Sequence, residues 1–319
     1  MKILITGGSG FIGSNVAEAY LSAGHQVVVA DNLSSDSAAC LPSDVRLYPI
    51  SIESPDFGNL LKLEKPDVIN HHAAQKSVPM SVENPMLDAR INALGLLNVL
   101  EAAVQHNVRK IIYISSGGAL AGDAPVIPTD ESYIPKMISP YAIHKYLGEQ
   151  YLHFYSVTHG LEYTVLRYAN VYGPRQIADG ECGVVPIFMN NLLSNQPCTL
   201  FAYANQPRGT TRDYVYVKDV CAANVAALTK ANQAVLNIGT GIEVDTETVY
   251  EELAQLIGRE LPLIRRPERV GDVQRSALDC RKAAELLDWK PTTPLRDGLR
   301  ETLAWLEDSC RKPSTEAHR

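Results

Sequence analysis

The stretch TGGSGFIG at residues 6–13 decides the fold that this sequence predicts. It follows a β-rich run and leads into an apolar segment that predicts a helix over residues 11–23. Gly7, Gly10 and Gly13 permit a tight turn, close approach of the backbone to a ligand and close packing of the helix. The positive end of that helix then faces an anion, so the stretch predicts a loop that binds the pyrophosphate of a dinucleotide.

An acidic residue at the end of the next predicted strand indicates which dinucleotide binds. Asp31 follows the apolar run at 26–30 and can accept both hydroxyls of an adenosine ribose. The same carboxylate would repel a 2′-phosphate, and no arginine precedes Arg46 to bind one. We therefore predict NAD rather than NADP. Asn32, Ser51 and Ile52 fall at strand ends where they would border the adenosine, although plain loop and core roles fit them equally well.

The first half of the chain alternates short β-rich runs with helical segments. Strands are predicted at 2–6, 26–30, 45–51, 67–71, 110–115 and 163–167, and helices at 88–106 and 140–159. Such alternation is typical of a parallel sheet with helices on both faces, which binds ligands at the carboxyl ends of its strands. We predict an α/β fold, a Rossmann-type doubly wound parallel sheet with a smaller α/β C-terminal substrate domain.

The rhythm changes after residue 170, and this change predicts the domain limits. Residues 1–170 are predicted to form the NAD-binding domain, and 213–240 to return to its sheet through a strand, a helix and a second strand. Residues 171–212 and 241–312 are predicted to bind the substrate, with 313–319 as a frayed tail.

Composition excludes several classes of function. The chain of 319 residues is 45% hydrophobic and 20% charged, with no apolar run long enough to cross a bilayer. Its start leads straight into a predicted core strand without a signal peptide, so we expect a cytoplasmic protein. A formal net charge of -7 gives no electrostatic footprint for nucleic acid or an anionic membrane. Scattered cysteines, and His71 and His72 without partner ligands at metal spacing, predict no metal site.

A second stretch, SPYAIHK at residues 139–145, places a phenol and an amine on one face of a helix. Ser139 can cap this helix and the proline after it can occupy the first helical position, so Tyr141 and Lys145 lie one turn apart. A lysine beside a tyrosine hydroxyl lowers the pKa of the phenol, which can then take or return a proton from an alcohol.

The same spacing recurs at Tyr214 and Lys218, in an alternating apolar run that predicts a strand. Four residues along a strand span roughly 13 Å, so that phenol and that amine are predicted to lie apart. Only the residues that surround each pair can therefore distinguish Tyr141 and Lys145 from Tyr214 and Lys218.

A strand-end serine supplies this context, because the predicted strand at 110–115 runs into Ser115-Ser116 and two glycines. A glycine loop, then such a serine, then Tyr and Lys on the following helix is the arrangement of short-chain dehydrogenases and reductases. The sequence resembles their extended branch, and within it the UDP-galactose (UDP-glucose) 4-epimerases and near relatives, over nearly its whole length. The resemblance rests on TGGSGFIG at 6–13, DNLSS at 31–35, HHAAQKSV at 71–78, SSGGA at 115–119, SPYAIHK at 139–145, LRYANVYGPRQ at 166–176, RDYVYVKDV at 212–220, NIGTG at 237–241 and RVGDVQRS at 269–276.

The resemblance implies roles for individual residues. Ser116 and Tyr141 would bracket the sugar 4-hydroxyl, with Ser115 as the rival serine, and Lys145 would grip the nicotinamide ribose. The implied cofactor-binding set is Gly7, Gly10, Phe11, Ile12, Gly13, Asp31, Asn32, Ser51, Ile52, Ala73, Lys76, Tyr141, Lys145 and Tyr168, with Lys76 near the pyrophosphate and Tyr168 at the nicotinamide. The implied substrate-binding set is Ser116, Asn170, Phe201, Arg212, Arg269, Asp272 and Ser276, with Arg275 as a further arginine for the diphosphate and Phe201 stacked on uracil.

Within this family the sequence favours epimerisation. Sugar-nucleotide dehydratases and UDP-glucuronate decarboxylases carry an acid shortly after the serine, where this chain has Gly117, Gly118 and Ala119. The resemblance therefore implies reversible NAD-dependent 4-epimerisation of a UDP-hexose, UDP-glucose or UDP-galactose, through a transient 4-keto sugar. Ser276 leaves room for an N-acetyl group, so UDP-GlcNAc and UDP-GalNAc are expected substrates as well. Ala121 stands where relatives usually have tyrosine, which would reshape the sugar pocket.

Other functions fit the same machinery. UDP-glucuronate 4-epimerase is the nearest alternative, followed by a nucleotide-sugar dehydratase or decarboxylase and by a non-catalytic NAD-binding regulator. The presence of both Tyr141 and Lys145 argues against the regulator. The resemblance also implies a homodimer formed by the predicted helices at 88–106 and 140–159.

Overall fold

The structure, a computed structural model, describes residues 1–34, 41–178, 183–268 and 273–311. The strands are β1 Lys2–Thr6, β2 Gln26–Asp31, β3 Arg46–Pro49, β4 Val68–His71, β5 Lys110–Ser116, β6 Glu162–Tyr168, β7 Asn170–Tyr172, β8 Cys198–Ala202, β9 Thr211–Arg212, β10 Tyr214–Tyr216, β11 Ala234–Ile238, β12 Val244–Asp245 and β13 Leu263–Pro267. The helices are α1 Phe11–Ser22, α2 Phe57–Glu64, α3 Val78–Glu83, α4 Pro85–Asp88, α5 Leu96–Gln105, α6 Gly117–Ala121, α7 Pro140–His159, α8 Val184–Leu193, α9 Val217–Ala227, α10 Thr246–Ile257, α11 Arg281–Leu287 and α12 Leu295–Arg311. A π-helical segment, Ala89–Gly95, joins α4 to α5.

Seven strands form one sheet in the order β11-β6-β5-β4-β1-β2-β3, and every pair in it is parallel. The chain moves outward from β1 to β3 on one side and from β4 to β11 on the other. Connections therefore diverge at the carboxyl ends of β1 and β4, which opens a crevice there. The predicted doubly wound parallel sheet is confirmed.

Alternating side chains of the strands fill two apolar layers. Ile3 and Ile5 of β1 point into the layer beneath α1 and α9, while Leu4 points into the layer beneath α2, α5 and α7, and all three are fully buried. Burial on both faces explains why these strands are continuously apolar. The sheet is thus a rigid platform for the loops at its carboxyl edge.

The predicted helix at 88–106 is interrupted in the structure. Of the predicted range only Asp88 belongs to α4, residues Ala89–Gly95 are π-helical, and Leu96–Gln105 forms the regular α5. The polar side chain of Asn92, inside the π-helical segment, bonds to the neighbouring loop through Gln75. π-Helical turns are frequent at functional sites, and apolar periodicity does not reveal them.

Part of the segment 213–240 lies in the main sheet, and its assignment to the NAD-binding domain stays a prediction. β11 joins the sheet beside β6 and α9 packs against α1, but β10 pairs with β7 in a separate two-stranded sheet. The strand also ends earlier than predicted, because Val217 already begins α9. The ammonium group of Lys218 therefore lies 5.9 Å from the ring of Tyr216, and both side chains bond to Glu301.

Two further small sheets, β8 with β13 and β9 with β12, lie in the segments predicted to bind the substrate. The limits of that domain stay a prediction. Among the described residues, no helix is long and apolar enough to cross a membrane.

Candidate active site

The glycine loop between β1 and α1 is closed to larger side chains. Gly7 has φ +68°, and a Cβ there would lie 2.6 Å from the backbone nitrogen of Ala73. A Cβ on Gly13 would lie 2.5 Å from the carbonyl oxygen of Gly7. No side chain caps the start of α1 at Gly10, so the first N–H groups of the helix, at Phe11 and the following residues, face the loop. This geometry fits a diphosphate held by backbone groups.

Asp31 lies beside this loop at the end of β2 and is 8% exposed. Its Oδ2 accepts from the Ser9 backbone N–H at 2.9 Å and its Oδ1 from the Leu33 N–H at 2.8 Å. A carboxylate oxygen has a second acceptor position, so both oxygens can still accept ribose hydroxyls. The acid and the loop together fit the adenosine and diphosphate of NAD.

Three residues are predicted near the adenosine: Asn32, Ser51 and Ile52. Two of them are polar side chains bonded within turns, and the third is a buried apolar side chain. Asn32 and Ser51 already accept N–H groups within their own turns, from Ser34 and Glu53. Ile52 is 5% exposed and packs toward the position of Gly95, where a Cβ would lie 2.8 Å from its Cδ1. Ile52 is therefore a core residue.

The end of β4 forms the other side of the crevice. The backbone N–H of Ala73 donates to Thr6 Oγ1 at 3.3 Å, and Lys76 is exposed. His71 bonds to the same Thr6 hydroxyl at 2.9 Å. Burial lowers the pKa of both His71 and His72 to about 3, so both rings are neutral at neutral pH.

The nicotinamide contact of Tyr168 stays a prediction, and the ring and hydroxyl of this residue, at the end of β6, lie in different surroundings. Its hydroxyl accepts from Asn224 Nδ2 at 2.7 Å, in a buried polar chain that continues through Asn70 to Tyr20. That hydroxyl therefore faces α9. Only its ring approaches the crevice side, with its centroid 6.4 Å from that of His72.

The predicted proton-transfer pair lies at the start of α7. Ser139 caps this helix by accepting from the Ala142 N–H at 3.3 Å, which directs Tyr141 and Lys145 to one face. Ser116, at the end of β5, accepts from the Ala119 N–H and is hydrogen-bonded to the phenol of Tyr141. The structure thus brings Ser116, Tyr141 and Lys145 together at the carboxyl edge of the sheet.

The ammonium group of Lys145 is held by its surroundings. Its Nζ donates to the Ile114 carbonyl at 3.0 Å and lies 5.2 Å from the ring centre of Tyr113 and 5.9 Å from that of Tyr141. Burial lowers the pKa of Lys145 to about 8, against the opposing effect of the carboxylates of Asp88 and Glu149. The amine is therefore still mostly protonated at neutral pH.

Tyr141 does not show the lowered pKa that the sequence predicted. Burial raises the pKa of its phenol to about 12, although the hydrogen bond with Ser116 acts in the opposite direction. Taking the phenol out of water therefore outweighs the hydrogen bond with Ser116. Further positive charge bound beside the phenol would lower the pKa again.

Ser115 and Ser116 are separated by their partners. Ser115 is 3% exposed and donates to Glu149 Oε1 at 2.7 Å, away from Tyr141. Glu149 in turn accepts two hydrogen bonds from Arg167, at 2.9 and 2.6 Å. This arrangement favours Ser116 as the serine of the site.

Glu149 was not identified from the sequence alone. Its position one helical turn after Lys145, on the buried face of α7, could have indicated it.

Small side chains define the space opposite Ser116. A Cβ on Gly118 of α6 would lie 3.7 Å from Ser276 Oγ and 3.8 Å from Asn170 Oδ1. Gly117 is packed against Leu278, where a Cβ would lie 2.2 Å from the Leu278 Cδ1. Two of the predicted substrate residues, Asn170 and Ser276, therefore converge on α6.

The predicted diphosphate and base contacts are only partly brought to this site. Arg212 lies on β9 and donates to the Thr211 carbonyl at 2.7 Å, and Phe201 lies half-buried on β8. The guanidinium of Arg275 makes two bonds to Glu243, at 2.9 and 2.6 Å, and its contact with a diphosphate stays a prediction. The remaining predicted contacts, Arg269 and Asp272, lie outside the described residues.

Ala121, the unusual residue of the sequence, ends α6 and is 7% exposed. It lines a small cavity together with Leu120, Thr129 and Tyr133. Tyr133 therefore lies beside Ala121, the position at which a tyrosine was expected from the sequence.

A larger cleft, about 590 Å³, opens between α7 and α11 and is separate from this site. Its charged walls include Arg167 and Arg281, which are already paired with Glu149 and Asp279. We therefore place the candidate site at the crevice and not in this cleft. In the described part of the chain, no group of three or more His, Cys, Asp or Glu side chains is arranged to hold a metal ion.

Comparison with known proteins agrees with this geometry. Residues 3–239 match the profile of the NAD dependent epimerase/dehydratase family. A putative UDP-glucose 4-epimerase of Methanocaldococcus jannaschii is 38% identical over 97% of this chain and 99% of its own length. Among solved structures, the UDP-glucose 4-epimerase of Thermotoga maritima with UDP-glucose is 42% identical, with a TM-score of 0.94 over 98% of this chain and 100% of that one. The Thermus thermophilus UDP-glucose 4-epimerase in complex with NAD is 38% identical, with a TM-score of 0.92 over 96% and 99%. The chain therefore belongs to the NAD-dependent epimerase/dehydratase family.

Proposed function

We propose that this protein is a UDP-sugar 4-epimerase that keeps NAD bound and regenerates it in every cycle. The observation that carries the proposal is the meeting of Ser116, Tyr141 and Lys145 beside the glycine loop, followed by a helix without an acid. That helix, α6, has the sequence GGALA. Elimination or decarboxylation would use an additional acid there, whereas epimerisation at C4 needs only one proton shuttle and a reversible hydride carrier.

Each side chain of the site has a proposed role in the epimerisation. Bound NAD would supply the hydride acceptor and donor. Tyr141 takes the proton of the sugar 4-hydroxyl as the 4-keto sugar forms, and returns it when the sugar is reduced on its other face. Ser116 holds the 4-oxygen by a hydrogen bond, and the ammonium group of Lys145 binds ribose hydroxyls and favours the phenolate of Tyr141.

The sugar must turn over between the two hydride transfers while the nucleotide stays bound. Arg212, and Arg269 beyond the described residues, are proposed to hold the diphosphate by charge-assisted hydrogen bonds. Gly118 and the small Ser276, whose Oγ would lie 3.7 Å from a Cβ on Gly118, are proposed to line the sugar end and to restrict rotation little. We propose that the small Ser276 leaves room for an N-acetyl group, so that UDP-GalNAc and UDP-GlcNAc are substrates beside UDP-galactose and UDP-glucose.

The decisive experiment uses the purified protein without added cofactor. Denatured protein should release NAD, and native protein should interconvert UDP-galactose and UDP-glucose with no net gain of NADH. UDP-GalNAc and UDP-galacturonate are offered separately, and Ser276→Tyr should reduce turnover of UDP-GalNAc more than that of UDP-galactose. Bound NAD without turnover of any of the three sugars would refute the epimerase proposal, and stoichiometric NADH production would indicate a net dehydrogenase.

A homodimer through the segments 88–106 and 140–159 is part of the proposal. Apolar side chains are exposed on both segments: Leu94 (61%) on the first, and Ile143 (47%), Phe154 (51%) and Val157 (72%) on the second. Such an apolar surface is typical of a protein interface. A dimer is expected in light scattering, and Leu94→Glu combined with Phe154→Glu should give a monomer. A wild-type monomer at assay concentration would contradict it.

We also propose that the protein acts in the cytoplasm. The described cysteines Cys198, Cys221 and Cys280 carry free thiols, as is usual in a reducing compartment. Fractionation of cells that express the full chain tests this proposal, and recovery of the protein outside the cytoplasm would contradict it.

A further inference from the structure

A buried carboxylate next to α7, one of the two that act on the pKa of Lys145, has no binding or catalytic role in the site described so far. Asp88, the last residue of α4, is 0% exposed. Its Oδ1 accepts from Gln75 Nε2 at 2.7 Å and from Asn92 Nδ2 at 2.9 Å, and its Oδ2 bonds to His144 Nδ1 at 2.5 Å. We assign the proton of the last bond to His144, because an ionised carboxylate only accepts.

The three partners of Asp88 come from three different segments. Gln75 belongs to the loop after β4, Asn92 to the π-helical segment, and His144 to α7 directly before Lys145. Asn92 also bonds the backbone of Gln75 in both directions, at 3.0 and 2.9 Å. The carboxylate therefore ties the loop that carries Ala73 to the helix that carries the proton-transfer pair.

The charge of Asp88 is compensated less than that of the other carboxylate near Lys145. Glu149 makes two bonds to the permanently charged guanidinium of Arg167, which offsets its field at Lys145. The amides around Asp88 are neutral, and the imidazole of His144 is positive only when protonated. A buried charge held by neutral groups is costly, so it is expected where its field has a use.

Other titratable groups also face these residues. Around Lys145 they are Asp88, Glu149, His71, His72, Tyr113 and Tyr141. Around Asp88 they are His144, Lys145, Tyr113 and Tyr141. A negative charge among them favours the ammonium form of Lys145 and disfavours the phenolate of Tyr141.

We propose that Asp88 is a positioning residue that fixes α7 against the loop after β4 and whose charge keeps Lys145 in its ammonium form. The proposal rests on the proposed function of Lys145 and Tyr141. Removal of the charge should lower the pKa of both groups. Both limbs of the pH profile of kcat/KM should then move to lower pH together, which a purely structural role would not produce.

Asp88→Asn separates charge from hydrogen bonding. The new amide oxygen can still accept from Gln75 and Asn92, and its NH₂ can donate to Nδ1 of a neutral His144. We expect the pH profile of the variant to move to lower pH by about one pH unit. The pH at which half of the bound NAD is released should move in the same direction, and this readout needs no turnover.

Asp219→Asn is the matched control, because Asp219 is 5% exposed and accepts from Thr292 and Thr293 backbone N–H groups elsewhere in the chain. This control variant should change neither the pH profile of kcat/KM nor the pH at which half of the bound NAD is released. An Asp88→Asn profile that is lower in height but unmoved in pH would overturn the proposal.

Should Asp88→Asn fail to fold, His144→Gln keeps the proposal testable, because the charge of Asp88 remains. For His144→Gln, the pH profile of kcat/KM and the pH of half release of NAD should stay in place or move to higher pH. A move to lower pH would overturn the proposal. If the wild-type protein binds NAD but converts no UDP-sugar, the proposed function fails, whereas the NAD-release midpoints still decide the role of Asp88.

Discussion

Removal of one partner of the buried ion pair between Glu149 and Arg167 should cost far more stability than removal of one partner of a surface pair of the same chemistry. The two side chains are 2% and 8% exposed and share two hydrogen bonds, and Ser115 donates a third to the same carboxylate. Breaking such a pair leaves an uncompensated buried charge and costs about 3–5 kcal/mol. In Glu149→Gln the amide nitrogen can face an N–H group of Arg167, so we expect the free energy of unfolding to fall by about 3 kcal/mol.

The strand that carries Arg167, β6, also carries the acid of a surface ion pair that serves as a matched control for the buried one. Arg109 and Glu162 form a pair at 2.8 Å near the start of β6, with side chains 43% and 32% exposed. Because water screens this pair, Glu162→Gln should cost less than about 1 kcal/mol. Urea denaturation of each variant measures both losses, since the slope reports the surface exposed and the midpoint reports stability.

A double-mutant cycle separates charge from packing. Glu149→Met alone leaves the buried guanidinium of Arg167 without a counter-charge. Glu149→Met combined with Arg167→Met leaves no buried charge, so its free energy of unfolding should fall by less. The reasoning would be refuted by a Glu149→Gln loss no larger than that of Glu162→Gln. It would equally be refuted by a double variant whose loss equals the sum of the single losses.

Three further predictions concern the site. Tyr141→Phe should lower kcat about 10²- to 10⁴-fold while NAD still copurifies, and a loss below tenfold would exclude the phenol as the proton carrier. Gly13→Ala should lose copurifying NAD because its Cβ would lie 2.5 Å from the carbonyl oxygen of Gly7, whereas Gly58→Ala, whose Cβ would meet its nearest atom at 3.5 Å, should retain it. Release of bound NAD should increase as pH rises above about 8, where Lys145 loses its proton, and NAD retention that does not change there would contradict the ammonium role.

Local sequence patterns predicted much of the fold and the cofactor loop. The glycines at 6–13 and the acid at 31 act through backbone geometry and short-range contacts, which the order of residues already contains. Apolar periodicity likewise predicted the strands of the main sheet, because burial on both faces demands apolar residues. Periodicity also predicted strand β10 but not its pairing with β7, since a short apolar strand carries no sign of which neighbour it pairs with.

The polar groups that support the site were not predictable in this way. Asp88 and Glu149 read as ordinary helical acids, yet each is buried by partners far along the chain, Gln75 and Arg167 among them. The choice of Ser116 over Ser115 likewise needed the structure, because adjacent strand residues face opposite sides and only packing shows which side holds Tyr141.

The sequence by itself determined a doubly wound sheet, an NAD-type loop and a tyrosine and lysine one helical turn apart. Only the tertiary structure decided how strongly burial raises the pKa of Tyr141 and lowers that of Lys145. It alone also showed that Asp88 lies among the groups acting on both. The physical reason is that spacing along a helix fixes which side chains are neighbours, whereas pKa values depend on desolvation and on charges brought in from other segments.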